Sequence, residues 1–249
     1  MLESMQETLR GSAIAAEPQA RIRNGLAAKP DGVLKSIARP PRLPRRVDRH
    51  GAGIGNNHTE RADNMLGIGE RLPSFEVIGV KPGFNEIVEN DTSALESISE
   101  ASFPGRWKVI FFYPKDFTFV CPTEISEFAR LATDFEARNA VVLGGSTDNE
   151  FVKLAWRRDH RDLSKLPIWQ FADPKGDLVD SLGVRSPEGV AYRVTFVVDP
   201  ENVIQHIYAT NLDVGRAPQD TLRVLDALQT KALCACNRPV GGAVLSPAA

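Results

Sequence analysis

The stretch Trp107-Lys-Val-Ile-Phe-Phe-Tyr-Pro-Lys-Asp-Phe-Thr-Phe-Val-Cys-Pro-Thr-Glu124 changes character twice. Trp107 to Tyr113 is a short apolar run of β-formers ended by Pro114, the pattern of a buried strand. A polar loop follows. From Thr123 onward, Ile125, Phe128, Leu131 and Phe135 recur three or four residues apart, which is one face of a helix. Strand, loop and helix are thus written in succession, and Cys121 falls at the first turn of the helix.

Reading outward, residues 140–147 form a second buried strand, followed by a helix through Phe151, Leu154 and Ala155. Ile168 to Phe171 is a third short strand. Gly176 to Leu182 reads as a short helix that Gly183 stops. Val190–Val198 and Val203–Tyr208, joined by Asp199-Pro-Glu-Asn202, make a β-hairpin, and Pro218 to Gln229 is an amphipathic helix on Leu222, Leu225 and Leu228. Strands alternating with helices, then a hairpin and a last helix, predict an α/β fold: a central mixed sheet with helices on both faces.

Composition narrows the function. The 249 residues carry 30 basic and 32 acidic side chains, a net charge of −2, which gives no electrostatic case for nucleic acid or a membrane surface. No uncharged run approaches the roughly 18 apolar residues of a membrane span. Three cysteines cannot all pair within one chain, and four histidines, two of them (His50 and His58) near the N-terminus, make a zinc site improbable. The Gly51-Ala-Gly-Ile-Gly55 run neither follows a strand nor opens a helix, so no dinucleotide loop is expected. A cytoplasmic protein without a cofactor or metal is expected, its cysteines mattering for reactivity.

All 18 aromatic residues lie after residue 64. Residues 1–64 hold 11 Lys and Arg against 7 Asp and Glu, with Pro40, Pro41, Pro44 and scattered glycines and no sustained periodicity. Such a segment cannot bury enough apolar surface to offset its ordering entropy, so it is expected to be disordered. An early start codon, a functional tail and a transit peptide all compete to explain it, although Glu3, Glu7 and Glu17 sit badly in a transit peptide. The expected organisation is 1–64 extension, 65–230 folded domain and 231–249 tail.

Cys121 at a helix start has backbone N–H groups and the positive end of the helix dipole beneath it, and Pro122 suits the first turn. An ordinary cysteine is only about 3% thiolate at pH 7, and a thiolate-rich one needs roughly 3 kcal/mol. A helix start supplies at best about 2 kcal/mol, so a cation is needed as well. The hairpin residue Arg193 is the candidate, although spacing alone does not bring it there. The bland alternative is a buried small hydrophobe, as most free cysteines are.

Pro114, Thr118 and Cys121 match the Pro-x-x-x-Thr-x-x-Cys signature of peroxiredoxins, and Arg193-Val-Thr-Phe-Val-Val-Asp-Pro200 resembles that family's arginine strand. The likeness spans about Met65 to Asn237. It implies a thioredoxin-like fold and a thiol peroxidase acting on hydrogen peroxide, alkyl hydroperoxides and peroxynitrite, with Cys121 as the peroxidatic cysteine. It further implies that the Thr118 hydroxyl holds the peroxide, Arg193 stabilises the thiolate, Pro114 shields the pocket and Glu124 orients the arginines.

Cys234 and Cys236 follow the last helix in Leu233-Cys-Ala-Cys-Asn237. A Cys-x-Cys pair is a poor zinc site alone, and a bridge between its members is strained. The pattern resembles the three-cysteine branch of alkyl hydroperoxide reductase C-type peroxiredoxins. By that resemblance Cys234 resolves Cys121 of a neighbouring subunit and Cys236 assists. The implied reductant is an alkyl hydroperoxide reductase D-type protein or a thioredoxin, each bringing Cys-x-x-Cys, and the implied assembly is a homodimer or a ring of dimers. Relatives that overoxidise readily carry a Gly-Gly-Leu-Gly loop and a Tyr-Phe helix. Here Asp162-Leu-Ser-Lys-Leu-Pro167 holds no glycine pair and the tail beyond Cys236 has no aromatic residue, which implies resistance to excess peroxide.

Two other activities fit less well. A holdase chaperone would protect clients without Cys121, and a disulfide reductase would need a second cysteine where Cys121-Pro-Thr-Glu124 has none. If the N-terminal segment is dispensable, protein starting at Met65 melts and turns over like the full chain. Misfolding or lost activity in the truncated protein would place the boundary elsewhere.

Overall fold

The computed structural model describes residues 64–246, so the expected disorder of residues 1–64 falls, Asn64 apart, outside the described residues. In chain order the elements are β1 (Glu76–Val80), β2 (Val88–Glu89), β3 (Thr92–Ser93), β4 (Leu95–Ser99), β5 (Trp107–Phe112), α1 (Cys121–Arg130), α2 (Ala132–Glu136), β6 (Ala140–Ser146), α3 (Glu150–Asp159), β7 (Trp169–Ala172), α4 (Asp177–Ser181), β8 (Arg193–Val198), β9 (Ile204–Thr210) and α5 (Pro218–Gln229). A 3₁₀ turn at Arg161–Leu163 follows α3. Seven strands form one sheet in the order β4-β1-β7-β6-β5-β8-β9, while β2 and β3 pair separately. The centre is parallel (β5 with β6, β6 with β7) and the flanks are antiparallel, so the sheet is mixed as expected.

The pleat of β5 explains the two layers. Val109 and Phe111 point to one face and join Ile125, Phe128, Phe135, Trp156, Leu222 and Leu225 from the helices α1, α2, α3 and α5. Ile110 and Phe112 point to the other face and join Phe171, Leu178, Val179 and Phe196. A strand covered on both sides must be apolar throughout, which is why Val109 to Tyr113 is an unbroken buried run.

Three details differ from the sequence reading. The helix predicted from Thr123 to Glu136 breaks at Leu131 (φ −92°, ψ 6°), yet Ile125, Phe128, Leu131 and Phe135 are all buried as the period requires. Of the residues that mark α3, Leu154 is buried and Ala155 half-buried, but Phe151 is 55% exposed, and the buried face also takes Lys153, Trp156 and Arg157. Burial of two charged residues hides the true face from any apolar-periodicity reading. The strands β1 and β4 were not anticipated: Leu95-Glu-Ser-Ile-Ser99 is mostly polar, and the short Glu76-Val-Ile-Gly-Val80 is interrupted by Gly79.

Close packing under α1 depends on Gly144. Phe111 stacks on Phe128 at 4.1 Å between centroids and 15° between planes. The tip of its ring reaches β6, where a Cβ at Gly144 would come within 2.3 Å of Phe111 Cζ. Gly144→Ala should therefore push the ring off its helix contact and destabilise by about 1–3 kcal/mol. That corresponds to a melting temperature lower by roughly 3–10 °C. An unchanged melt would mean that the ring has another place to go.

Candidate active site

Cys121 is the first residue of α1 and has no exposed surface. Val120, the residue before it, provides no side-chain cap, and Pro122 occupies the first turn. The helix start is thus left open to the thiol instead of being closed by a capping oxygen. Arg193, at the beginning of β8, brings Nη1 to 3.4 Å from Cys121 Sγ, although 72 residues separate them.

The guanidinium is fixed from two further directions. Nη1 also donates to Glu124 Oε2 at 2.6 Å, and Nε donates to the Leu212 carbonyl at 2.6 Å. Glu124 lies one turn after Cys121, and its other oxygen, Oε1, accepts from Arg216 Nε and Arg216 N, both at 2.8 Å. Arg216 in turn donates to the Phe112 carbonyl (2.8 Å) and to Thr195 Oγ1 (3.0 Å). The three charged side chains are at most 4% exposed. Burial works against the charge of Arg193, but bonds and attraction to Cys121 and Glu124 outweigh it, and its pKa is held above the ordinary arginine value.

The loop from Pro114 to Val120 joins β5 to this helix. Pro114 is buried and Thr118 half-buried. The Thr118 hydroxyl donates to the Lys115 carbonyl at 2.9 Å. Phe117 has φ +55°, which for a non-glycine residue costs about 1–2 kcal/mol. It is held there by stacking on Trp156, at 5.7 Å between centroids. Beneath the loop, Lys153 Nζ reaches Ser146 Oγ (2.8 Å), Tyr113 Oη (3.2 Å) and Asp116 Oδ2 (3.3 Å), with both ionic side chains fully buried. Burial pushes the Asp116 carboxyl up while the charge of Lys153 pulls it back. Burial also brings Arg157, beside it on α3, down to about 10.

The fold thus brings together Cys121, Glu124 and Arg193, with Pro114 and Thr118 on the adjoining loop. It leaves Cys234 and Cys236 apart from them. All three cysteines are free thiols. Cys234 is half-buried against its own helix end, with Sγ 3.4 Å from Thr230 Oγ1, and Cys236 is exposed. Arg216 went unread in the sequence, because a single arginine in the loop before α5 carries no periodic or motif signal. Lys153 beneath the loop and Asp116 within it went unread for a similar reason: nothing in a sequence marks a charge as buried.

Comparison with known proteins agrees with this geometry. Residues 68–207 match the model of the AhpC/TSA family. The chain is 46% identical over 175 residues to alkyl hydroperoxide reductase C of Mycolicibacterium smegmatis, covering 70% of this chain and 90% of that protein. It is 37% identical to alkyl hydroperoxide reductase C of Escherichia coli, over 68% of this chain and 92% of that one. The solved structure of Mycobacterium tuberculosis AhpC superposes with a TM-score of 0.65 at 45% identity, covering 70% of this chain and 99% of that one. A thiol held on an arginine at a helix start, on a fold shared with these proteins, places the chain in the AhpC/TSA family: it is a peroxiredoxin with the α/β thioredoxin-like fold, a thiol-dependent peroxidase.

Proposed function

We propose that Cys121 is the sulfur that reacts with peroxide, and the observation carrying this is the 3.4 Å contact between its Sγ and Arg193 Nη1. Two buried guanidinium groups share one buried carboxylate, which leaves a positive charge that a thiolate sulfur complements. The thiolate attacks one peroxide oxygen, the O–O bond breaks, and the departing alkoxide or hydroxide takes a proton to leave as alcohol or water. Cys121 is oxidised to a sulfenic acid and the peroxide is reduced by the same two electrons. Arg193 stabilises the charge that spreads along the S–O–O line. Thr118 holds the peroxide once its hydroxyl turns from the Lys115 carbonyl, Pro114 shields the pocket from water, and Glu124 keeps both arginines in register.

Cys234 then attacks the sulfenic sulfur, an S–S bond forms and water leaves. Because Cys121 is fully buried and Cys234 sits at the far end of α5, the first turn of α1 must unwind for the two to meet. We assign Cys234 to the neighbouring subunit of a homodimer, itself part of a ring of dimers, with Cys236 as an auxiliary thiol. A Cys-x-x-Cys protein, of the alkyl hydroperoxide reductase D type or a thioredoxin, supplies the two electrons that restore both thiols. The near-neutral charge favours neither nucleic acid nor a membrane as partner, and no helix among the described residues is long and apolar enough to cross a membrane. A cytoplasmic site of action suits a cycle that needs a dithiol reductant.

Stopped-flow measurement of peroxide consumption tests the first step. Cys121→Ser should abolish it, and Glu124→Gln should slow it about tenfold or more by leaving two buried guanidinium groups without a charged partner. Fast turnover surviving in Cys121→Ser would sink this assignment. For the second step, one equivalent of peroxide should give a disulfide-linked dimer on a non-reducing gel, weakened in Cys234→Ser. A purely monomeric oxidised band from the unmodified protein would rule out the intersubunit bridge. Described residues of the tail, 231–246, contain no helix. With a reductant present, sulfinic Cys121 should therefore stay scarce until peroxide far exceeds enzyme; its early accumulation would show that holding α1 folded needs no helix in the tail.

A further inference from the structure

A second buried ionic cluster lies on the side of the loop away from Arg193. Lys153, on α3, has no exposed side-chain surface and bonds to Ser146 Oγ, Tyr113 Oη and both oxygens of Asp116. Asp116 belongs to the loop between Pro114 and Cys121. Its backbone N–H donates to Asp148 Oδ2 at 2.8 Å, and the same oxygen accepts from Ser146 Oγ at 2.9 Å. Ser146 ends β6, so this part of the loop is moored to the central sheet. The next loop residue, Phe117, stacks on Trp156, three residues beyond Lys153 and on the same face of α3. Two adjacent loop residues therefore dock on one helix face, the second in a left-handed conformation it would leave if released.

The rest of the loop is weakly held. The Thr118 hydroxyl bonds to Lys115, within the loop itself. Phe119 is 95% exposed, and α1 has no side-chain cap. We infer that Lys153, with Asp148 beside it, is a positioning residue: its ion pair with Asp116 holds the loop and the first turn of α1 folded, and so sets how the Cys121 sulfenic acid divides between disulfide and sulfinic acid.

The inference rests on Cys121 being the reacting thiol. From the sulfenate two routes compete. In the folded site the sulfur attacks a second peroxide, forming a second S–O bond while the other oxygen leaves as alkoxide or hydroxide and takes a proton. In the unwound state the Cys234 sulfur displaces the sulfenic hydroxyl as water. Asp116 already resists burial, and without the charge of Lys153 it takes up a proton or turns to solvent. Either outcome loosens the mooring and favours the unwound route.

The test uses full-length protein carrying Lys153→Met, Asp116→Asn, both together, or Asp148→Ala. Intact-mass spectrometry at rising hydrogen peroxide gives the ratio of sulfinic to disulfide-bonded Cys121. That ratio should fall about tenfold or more in Lys153→Met, because one partner of a buried pair is lost. Asp116→Asn should match it, and the double variant should add little to either. For Asp148→Ala, which loses one hydrogen-bond acceptor, about threefold is expected. A purely structural role would lower the melting temperature and leave this ratio unchanged, since both products come from one intermediate of the folded protein. Hydrogen exchange at residues 115–124, faster in every variant, supplies a readout independent of chemistry. Should Lys153→Met not fold, Asp148→Ala decides by both measurements. An unchanged ratio overturns the inference whatever the exchange shows, whereas peroxide consumption persisting in Cys121→Ser overturns the assignment of the thiol and leaves the exchange result to judge the loop.

Discussion

The Glu124 carboxylate is the interaction on which this molecule's arrangement turns. One oxygen takes Arg193 from β8 and the other takes Arg216 from the loop before α5, while the residue itself belongs to the first turn of α1. Through Arg216 the link extends to the Phe112 carbonyl at the end of β5. Three segments, α1, the start of β8 and the loop before α5, thus meet on two oxygen atoms. Guanidinium groups with almost no exposure are tolerable only when their donors are nearly all used, and here carboxylate, carbonyl and hydroxyl oxygens take them. The local balance still leaves one positive charge over, beside a sulfur at an uncapped helix start. The reactivity proposed for Cys121 and the stability of the site therefore draw on the same charges.

The loop before Cys121 faces the opposite demand. Phe117 in the left-handed region is a conformation that the chain adopts only when its surroundings insist. Those surroundings are the Trp156 ring and the buried pair of Asp116 with Lys153, all against α3. A purely apolar contact could pack the loop, but it would not fix which carboxylate oxygen or which amide sits where. The bonds to Ser146, Asp148 and Tyr113 do, because each has direction and each left unmade would cost desolvation. With Arg193 on one side and α3 on the other, the active-site segment is held by charge more than by volume.

This reliance on charge explains which features were legible in the sequence. Strand β5, helix α5 and the β8–β9 hairpin follow from apolar patterning and turn residues, and the helix after Cys121 from the spacing of Ile125, Phe128 and Leu131. Cys121, Thr118 and Pro114 were legible as a motif on a recognisable strand–loop–helix. Arg193 was a candidate without a location; only pairing of β5 with β8, in register from Phe112 with Val194, brings it beside α1. Arg216 and the lysine of α3 were illegible, since a buried cation looks like a solvated one until its partner is placed. The same blindness hid Lys153 and Arg157 on the buried face of α3, where Leu154 was legible and Phe151 proved exposed. The antiparallel edge escaped because β4 is mostly polar and β1 is short and interrupted by Gly79.

The tail applies the same physics to the other cysteines. Asp226, on α5, accepts from Arg138 Nε at 3.0 Å, from Arg238 Nη1 at 2.6 Å and from the Gly241 amide at 2.9 Å. Partial burial resists its charge, but these three donors prevail and hold its carboxyl below the ordinary aspartate range. The clasp is thus complete above the ordinary aspartate pKa and is lost only as pH falls through the lower folded value. It fixes Arg238, two residues beyond Cys236, while α5 fixes the chain just before Cys234. Between these anchors the turns at Lys231 and Asn237 both have positive φ, at 52° and 55°. Within this short segment, pinned at both ends, Cys234 stays half-buried against the helix end and Cys236 is exposed. On the proposed pairing of Cys234 with Cys121, a segment anchored at both ends leaves the greater movement to the uncapped first turn of α1.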